Sequence, residues 1–316
     1  MVTTVGSGAY TYEAIVDWHH LPDGMRLHET PGVAVDAQDQ VYILTRNVEN
    51  PVIVFDRQGN FLRMFGKGHF TERSHGITIG PDGMVYCTDD GTHTITKWTP
   101  AGELLMTIGT PYKPAEAWSG EPFCRPTQAV ISRHTGHIYI SDGYSNARIH
   151  KYTPNGKLVK SWGEPGIDAG QFMIPHNLDI DAQDRIYVAD RQAHRVQVFD
   201  NEGNFIAMWN NIHLPCALRV GPDGNIYIGE LCGSGLTGNV PGYGHRVGVY
   251  SPDGQMLARF GDPVLGEGPG QFIAPHGIAI DSHGDIYVGE VSWTMHGRTL
   301  NPPQELRSLS KLRRIA

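Results

Sequence analysis

Three histidines recur at near-constant spacing in this 316-residue chain: His75, His176 and His276, separated by 101 and 100 residues. Each heads a similar phrase, Ser74-His75-Gly76-Ile77, Pro175-His176-Asn177-Leu178 and Pro275-His276-Gly277-Ile278. Three neutral imidazoles without a fourth protein ligand match a catalytic zinc site, in which the remaining position takes water or substrate. The ion such a set favours is Zn2+ or another divalent transition metal. With 16 histidines in the chain, the competing reading is of ordinary channel histidines that hold water.

The case for a metal rests on what positions the three. The phrase occurs six times, beginning Pro31-Gly32, Ser74-His75, Pro126-Thr127, Pro175-His176, Pro215-Cys216 and Pro275-His276. Each copy continues into an alternating apolar run, as in His276-Gly277-Ile278-Ala279-Ile280-Asp281, the period-two pattern of a strand. Turns rich in Asp and Gly follow, such as Gly80-Pro81-Asp82-Gly83 and Gly221-Pro222-Asp223-Gly224. The second strands then share a tyrosine: Tyr42, Tyr86, Tyr139, Tyr187, Tyr227 and Tyr287. Third and fourth strands follow in most copies, and the copies start 40 to 60 residues apart, the period of propeller blades. The pattern predicts an all-β, six-bladed β-propeller occupying residues 1–316 as one domain. The last copy is short of strands, so the two ends are expected to share a blade, Lys311–Ile315 supplying one strand and Tyr10–Trp18 the outermost. Two insertions, Cys232–His245 and Ser292–Ser308, interrupt blades five and six, and loops on one face often carry function.

In such a ring the leading residues of the innermost strands read Gly32, His75, Thr127, His176, Cys216 and His276. Alternate blades carry histidine, which places the three about the axis with three-fold convergence on one point. Cys216 is an alternative further ligand. The second strands end in Thr45-Arg46, Asp89-Asp90, Asp142-Gly143, Asp190-Arg191, Glu230-Leu231 and Glu290-Val291. Asp142 with Arg148 and Asp190 with Arg195 are spaced to form structural ion pairs. Arg46 and Arg191 share one repeat position in opposite blades, where two guanidinium forks could grip a carboxylate or oxyanion above the metal; otherwise they are exposed loop arginines. Tyr144, in the loop leaving blade three between two histidine-bearing blades, could serve as general base.

Composition narrows the partners. The formal charge is −8 and Lys and Arg are scattered, so there is no electrostatic footprint for nucleic acid or an anionic membrane. The start MVTTVGSGAY lacks a basic and an apolar segment, and no stretch reaches the ~20 apolar residues of a membrane span. Four cysteines, Cys87, Cys124, Cys216 and Cys232, form no CxxC pair. Isolated thiols suit a reducing cytoplasm, so a cytoplasmic protein with a small-molecule substrate is expected.

Pro175-His176-Asn177-Leu178, Val188-Ala189-Asp190-Arg191, Phe123-Cys124-Arg125-Pro126-Thr127 and Ser141-Asp142-Gly143-Tyr144-Ser145-Asn146-Ala147-Arg148-Ile149 together resemble NHL-repeat propellers, specifically the peptidyl-α-hydroxyglycine α-amidating lyase family. The similarity spans about residues 30 to 290. It implies a zinc ion on His75, His176 and His276, a tyrosine base at Tyr144, and substrate-orienting arginines at Arg46 and Arg191.

The departures are specific. One family disulfide would join Cys124 to a position held here by Ser145, and a second would need cysteines at Tyr187 and Val198. A family calcium site uses backbone carbonyls matching Val33 and Ile77 and an aspartate where this chain has Gly277, which puts a structural Ca2+ in doubt. A methionine near the family's zinc corresponds to Ala274. The resulting expectation is a metal-dependent lyase that cleaves a carbinolamide-type C–N bond in a substrate carrying a carboxylate or amide. Two alternatives stay open: a metal-hydroxide hydrolase or hydratase of a small ester, lactone or amide, and a non-catalytic binding platform with a structural metal.

Overall fold

The computed structural model describes residues 2–233, 240 and 242–315. The middle of the expected insertion Cys232–His245 therefore lies outside the described residues. Six antiparallel sheets stand around a common axis among the described residues. Five have four strands in sequence order. In blade two these are Ser74–Ile79, Val85–Asp89, Thr94–Trp98 and Leu104–Ile108.

The sixth sheet closes the ring. From the axis outward it runs Pro275–Ile280, Ile286–Glu290, Leu309–Arg314, Tyr10–Ile15 and Thr4–Ser7. The two ends share this blade as expected, but Tyr10–Ile15 is not its outermost strand. Thr4–Ser7 folds back on it through a tight hairpin in which Ser7 pairs with Tyr10. Gly6 and Gly8 make this possible by taking positive φ, +86° and +56°. A side chain at Gly6 would meet the Tyr10 carbonyl oxygen at 1.9 Å.

The repeated tyrosines explain why each inner hairpin holds its shape. All six are buried, and five reach back to the aspartate of their own turn: Tyr42 to Asp36, Tyr86 to Asp82, Tyr187 to Asp181, Tyr227 to Asp223 and Tyr287 to Asp281, at 3.0–3.2 Å. Blade three has Ser132 at the turn, and Tyr139 donates instead to the Asn201 carbonyl in the next blade. The apolar face of each sheet packs on its neighbour. Val85, Cys87 and Trp98 of blade two, for example, meet Tyr42, Val52 and Val54 of blade one.

The acids that end the second strands form a second repeated device. Asp89 accepts from Thr71 N, Asp142 from Cys124 N, Asp190 from Met173 N and Ile174 N, and Glu290 from Ile273 N and Ala274 N. Each carboxylate fixes the segment that delivers the chain to the same blade's innermost strand. Asp190 also pairs with Arg195 at 2.8 Å, as expected. Asp142 does not pair with Arg148, although the two are register partners. Its carboxylate is fully buried and already taken by Asn146 Nδ2, His150 Nε2 and the Cys124 amide. Arg148 turns to the carbonyls of Asn146 and Ala147.

Candidate metal centre

His75, His176 and His276 are each the second residue of one of three alternate innermost strands, and their rings meet on the axis. Ring centroids lie 4.7, 4.6 and 4.7 Å apart pairwise. The potential ligand atoms all fall within 4.8 Å of one another. Each Nδ1 faces a carbonyl oxygen of an adjacent blade: His75 that of Thr127 at 2.7 Å, His176 that of Cys216 at 2.9 Å, His276 that of Pro31 at 2.7 Å. A carbonyl can only accept, so each Nδ1 carries the proton and each Nε2 presents its lone pair. Three lone pairs converging under such second-sphere control are the arrangement that receives a divalent ion. The residues present thus fit the metal that the spacing implies.

Electrostatics agree. All three imidazoles are held below their ordinary range, first by burial and then by neighbours that are, or on protonation would be, positively charged. For His75 these are led by the other two rings, for His176 by Arg191, and for His276 by Arg46. His276 is pushed down to about 3. The site is therefore deprotonated before any metal arrives. Metal affinity should change less than about threefold between pH 8 and pH 6. Three ordinary histidines of pKa 6.5 would lose roughly 60-fold over that range through proton competition. Titration against a competing chelator at the two pH values measures the difference.

Cys216 lies outside the ligand set. Its sulfur is 3.5 Å from His176 Nδ1 and 3.8 Å from Nε2. A sulfur sharing the ion would be much nearer Nε2 than Nδ1, so this thiol sits beside the ring. Burial also pushes it up to about 11, which keeps it neutral. All four cysteines are buried and unpaired. Cys124 touches Ser145, and Tyr187 and Val198 are cross-strand partners. Both bridge positions of the resemblance are thus adjacent in space and empty of sulfur pairs.

The calcium cradle does not fit. A Cβ at Gly277 would meet Gly32 Cα and the Pro31 carbonyl oxygen at 2.9 Å, which leaves no room for an acid there. The Ile77 carbonyl already accepts from Gln128 Nε2 at 3.4 Å.

Tyr144 stands over the histidines. Its phenolic oxygen is 3.0 Å from both His75 Nε2 and His176 Nε2. Arg191 Nη1 reaches the same oxygen at 3.4 Å. Three guanidinium groups surround the ring, with Arg125, Arg191 and Arg73 centred 4.8, 5.3 and 6.0 Å from its centroid. Asp90, itself buried, holds Arg73 through two hydrogen bonds of 2.8 and 2.6 Å and reaches Arg125 at 3.5 Å.

The two arginines expected to grip substrate differ. Arg46 is buried and committed to Glu29 at 2.7 Å, to Thr294 Oγ1 at 3.0 Å and to the Ser74 carbonyl. Glu29 in turn accepts from the backbone and side chain of Thr294, in the helical turn Ser292–Met295 of the blade-six insertion. Arg191 has no carboxylate partner among the described residues; its side chain contacts Gln192, Tyr144 and the neutral Cys216 thiol. Four guanidinium groups face two carboxylates here, so the site attracts an anion, and Arg191 is the fork with capacity to spare.

Arg73, Arg125 and Glu29 escape sequence reasoning, and Asp90, at the repeat position of Arg46 and Arg191, is given no role by it. The two arginines were within reach: Arg73 and Arg125 both stand two residues before the leading residue of an innermost strand. Glu29 carries no such signal, because its partner Thr294 is 265 residues away.

The site opens into a cavity of about 240 Å³ lined by Arg46, Arg73, Tyr144, Arg191, His276 and, on the other side, apolar residues of blades five and six. A larger concavity of about 1320 Å³ marks the opposite end of the axis among the hairpin turns and contains none of the three histidines. No helix among the described residues is long and apolar enough to cross a membrane.

Comparison with known proteins is consistent with this geometry. The NHL repeat family pattern matches residues 172–199. The chain is 31% identical over 256 residues to peptidyl-glycine alpha-amidating monooxygenase A of Xenopus laevis, covering 77% of this chain and 26% of that protein. It is 34% identical over 211 residues to NHL repeat-containing protein 3 of Homo sapiens, covering 62% and 60%. It is 30% identical over 249 residues to peptidyl-alpha-hydroxyglycine alpha-amidating lyase 1 of Drosophila melanogaster, covering 72% and 44%. The chain thus spans between about a quarter and three fifths of the length of these relatives.

Proposed function

From the premise that this chain is an NHL-repeat six-bladed propeller resembling the peptidyl-α-hydroxyglycine α-amidating lyases, we propose that it is a metal-dependent lyase that splits the carbinolamide C–N bond of an N-acyl-α-hydroxyglycine. The observation that supports this most directly is the Tyr144 oxygen 3.0 Å from two of three converging imidazole nitrogens, with Arg191 beside it.

His75, His176 and His276 would hold a divalent ion, zinc by preference, which supplies Lewis acidity at the substrate's α-hydroxyl. Arg191 binds the substrate carboxylate, and Arg46, locked by Glu29, presents a fixed positive edge on the opposite blade. Tyr144, as the phenolate beside the Arg191, Arg125 and Arg73 guanidinium groups, accepts the hydroxyl proton at its phenolic oxygen and becomes the neutral phenol. The C–O bond becomes a carbonyl while the C–N bond breaks with its electron pair on nitrogen. The proton then passes to that nitrogen, which leaves as an uncharged amide beside glyoxylate. Atoms and charge balance without an oxidant.

The test is release of glyoxylate and amide in equal amounts from an N-acyl-α-hydroxyglycine, lost on chelation and restored by Zn2+. Absence of chelator-sensitive glyoxylate would remove the proposal. In the same assay Arg191→Met should raise KM by about 10- to 100-fold, the worth of one charge-assisted contact, with a much smaller change in kcat.

A further inference from the structure

The cavity is divided by polarity, and the division follows two positions of the repeat. Two residues before each innermost strand's leading residue, blades two and three carry Arg73 and Arg125, whereas blades five and six carry Leu214 and Ala274. At the second-strand exit, blades one, two and four carry Arg46, Asp90 and Arg191, whereas blades five and six carry Leu231 and Val291. Met295, from the helical turn of the blade-six insertion, and Cys232 complete the apolar side.

This wall is backed by core. Leu214, Leu231, Cys232 and Val291 are each under 9% exposed and pack with Ile273 and Ala274, with Met295 and Leu306 against them. Burial pushes the Cys232 thiol up to about 11, so the wall carries no charge from it. A substrate whose carboxylate lies on Arg191 has beside it, on blades five and six, a surface that offers no partner to a charge and rewards apolar contact. The space is also small. At about 240 Å³ it lies below the range of sites for drug-sized ligands.

We infer that the leaving amide carries a compact, uncharged apolar acyl group, of benzoyl or branched aliphatic size, and that Leu214, Leu231, Val291 and Met295 select for it. This rests on the lyase reading above for its chemistry, though not for its binding. The preferred substrates are then small N-acyl-α-hydroxyglycines, and chains with a charged group next to the scissile bond are excluded.

N-acylglycines test the wall without turnover, because they lack the hydroxyl that reacts. Benzoylglycine, acetylglycine and succinylglycine are titrated calorimetrically into the zinc-loaded protein. Benzoylglycine should bind at least about tenfold tighter than acetylglycine, the value of roughly 60 Å² of apolar surface removed from water. Succinylglycine, which the cationic side alone would favour, should bind no tighter than acetylglycine. Met295→Lys should narrow or invert the benzoyl-to-succinyl ratio. Equal affinities, a succinyl preference in the wild type, an unmoved ratio in the variant, or no binding by any member would each overturn the inference. Selective binding without glyoxylate release from the corresponding hydroxy compounds would leave the apolar wall standing and remove the lyase reading alone.

Discussion

His176→Ala is expected to abolish stoichiometric metal binding while the propeller stays folded. The imidazole is one of three candidate ligands, and no fourth His, Cys, Asp or Glu joins the group among the described residues. Losing a partner in the second sphere already costs 10- to 100-fold in affinity. Loss of a ligand should exceed that, at more than about 10²-fold. The fold should survive because the hydrogen bonds the ring gives up are its Nδ1–H bond to the Cys216 carbonyl and its Nε2 contact with the Tyr144 oxygen. An unsatisfied buried acceptor there costs about 1–3 kcal/mol, and the ladder pairing the strand Pro175–Ile180 with Ile186–Asp190 is untouched. Metal per chain after desalting, measured with circular dichroism on the same samples, reads both quantities. Retention of one tightly bound ion per variant chain would sink the site, and a wild type that binds none would return the three rings to being channel histidines.

The axial site was largely legible because a repeat converts sequence position into direction. Equivalent residues in alternate blades must converge, so His75, His176 and His276 could be joined without knowing any distance. The same logic placed Arg46 and Arg191 on opposite blades. It did not extend to what each arginine would be doing. Arg46 is spoken for by Glu29 from the segment preceding blade one and by Thr294 from an insertion, contacts that no period encodes. The Asp142–Arg148 expectation failed for a related reason. Strand register puts the two opposite each other, but a fully buried carboxylate takes the donors that come with it into the interior, here Asn146, His150 and a backbone amide. The extra edge strand Thr4–Ser7 had a visible signal in the Gly6-Ser7-Gly8 turn, masked by the expectation of four strands per blade.

Tyr144→Phe separates the lyase from a hydroxide-dependent hydrolase, because both need the same metal and the same three histidines. The substitution keeps a ring between Arg125, Arg191 and Arg73, so the packing that orients the loop Asp142–Asn146 persists. It removes only the oxygen that lies 3.0 Å from His75 Nε2 and His176 Nε2. If that oxygen takes the substrate hydroxyl proton, kcat should fall by roughly 10² to 10⁴, the usual worth of a positioned general base. Metal content should stay near one per chain, since the phenol is not among the three ligands. KM should move little, because the carboxylate grip is proposed for Arg191 and not for the phenol. Water activation on the metal has no such need of the phenol and should lose far less rate. Steady-state glyoxylate release by the variant and wild type, each normalised to bound metal, decides between them. Full activity in the phenylalanine variant would remove Tyr144 from the chemistry and with it the proton path proposed for the lyase.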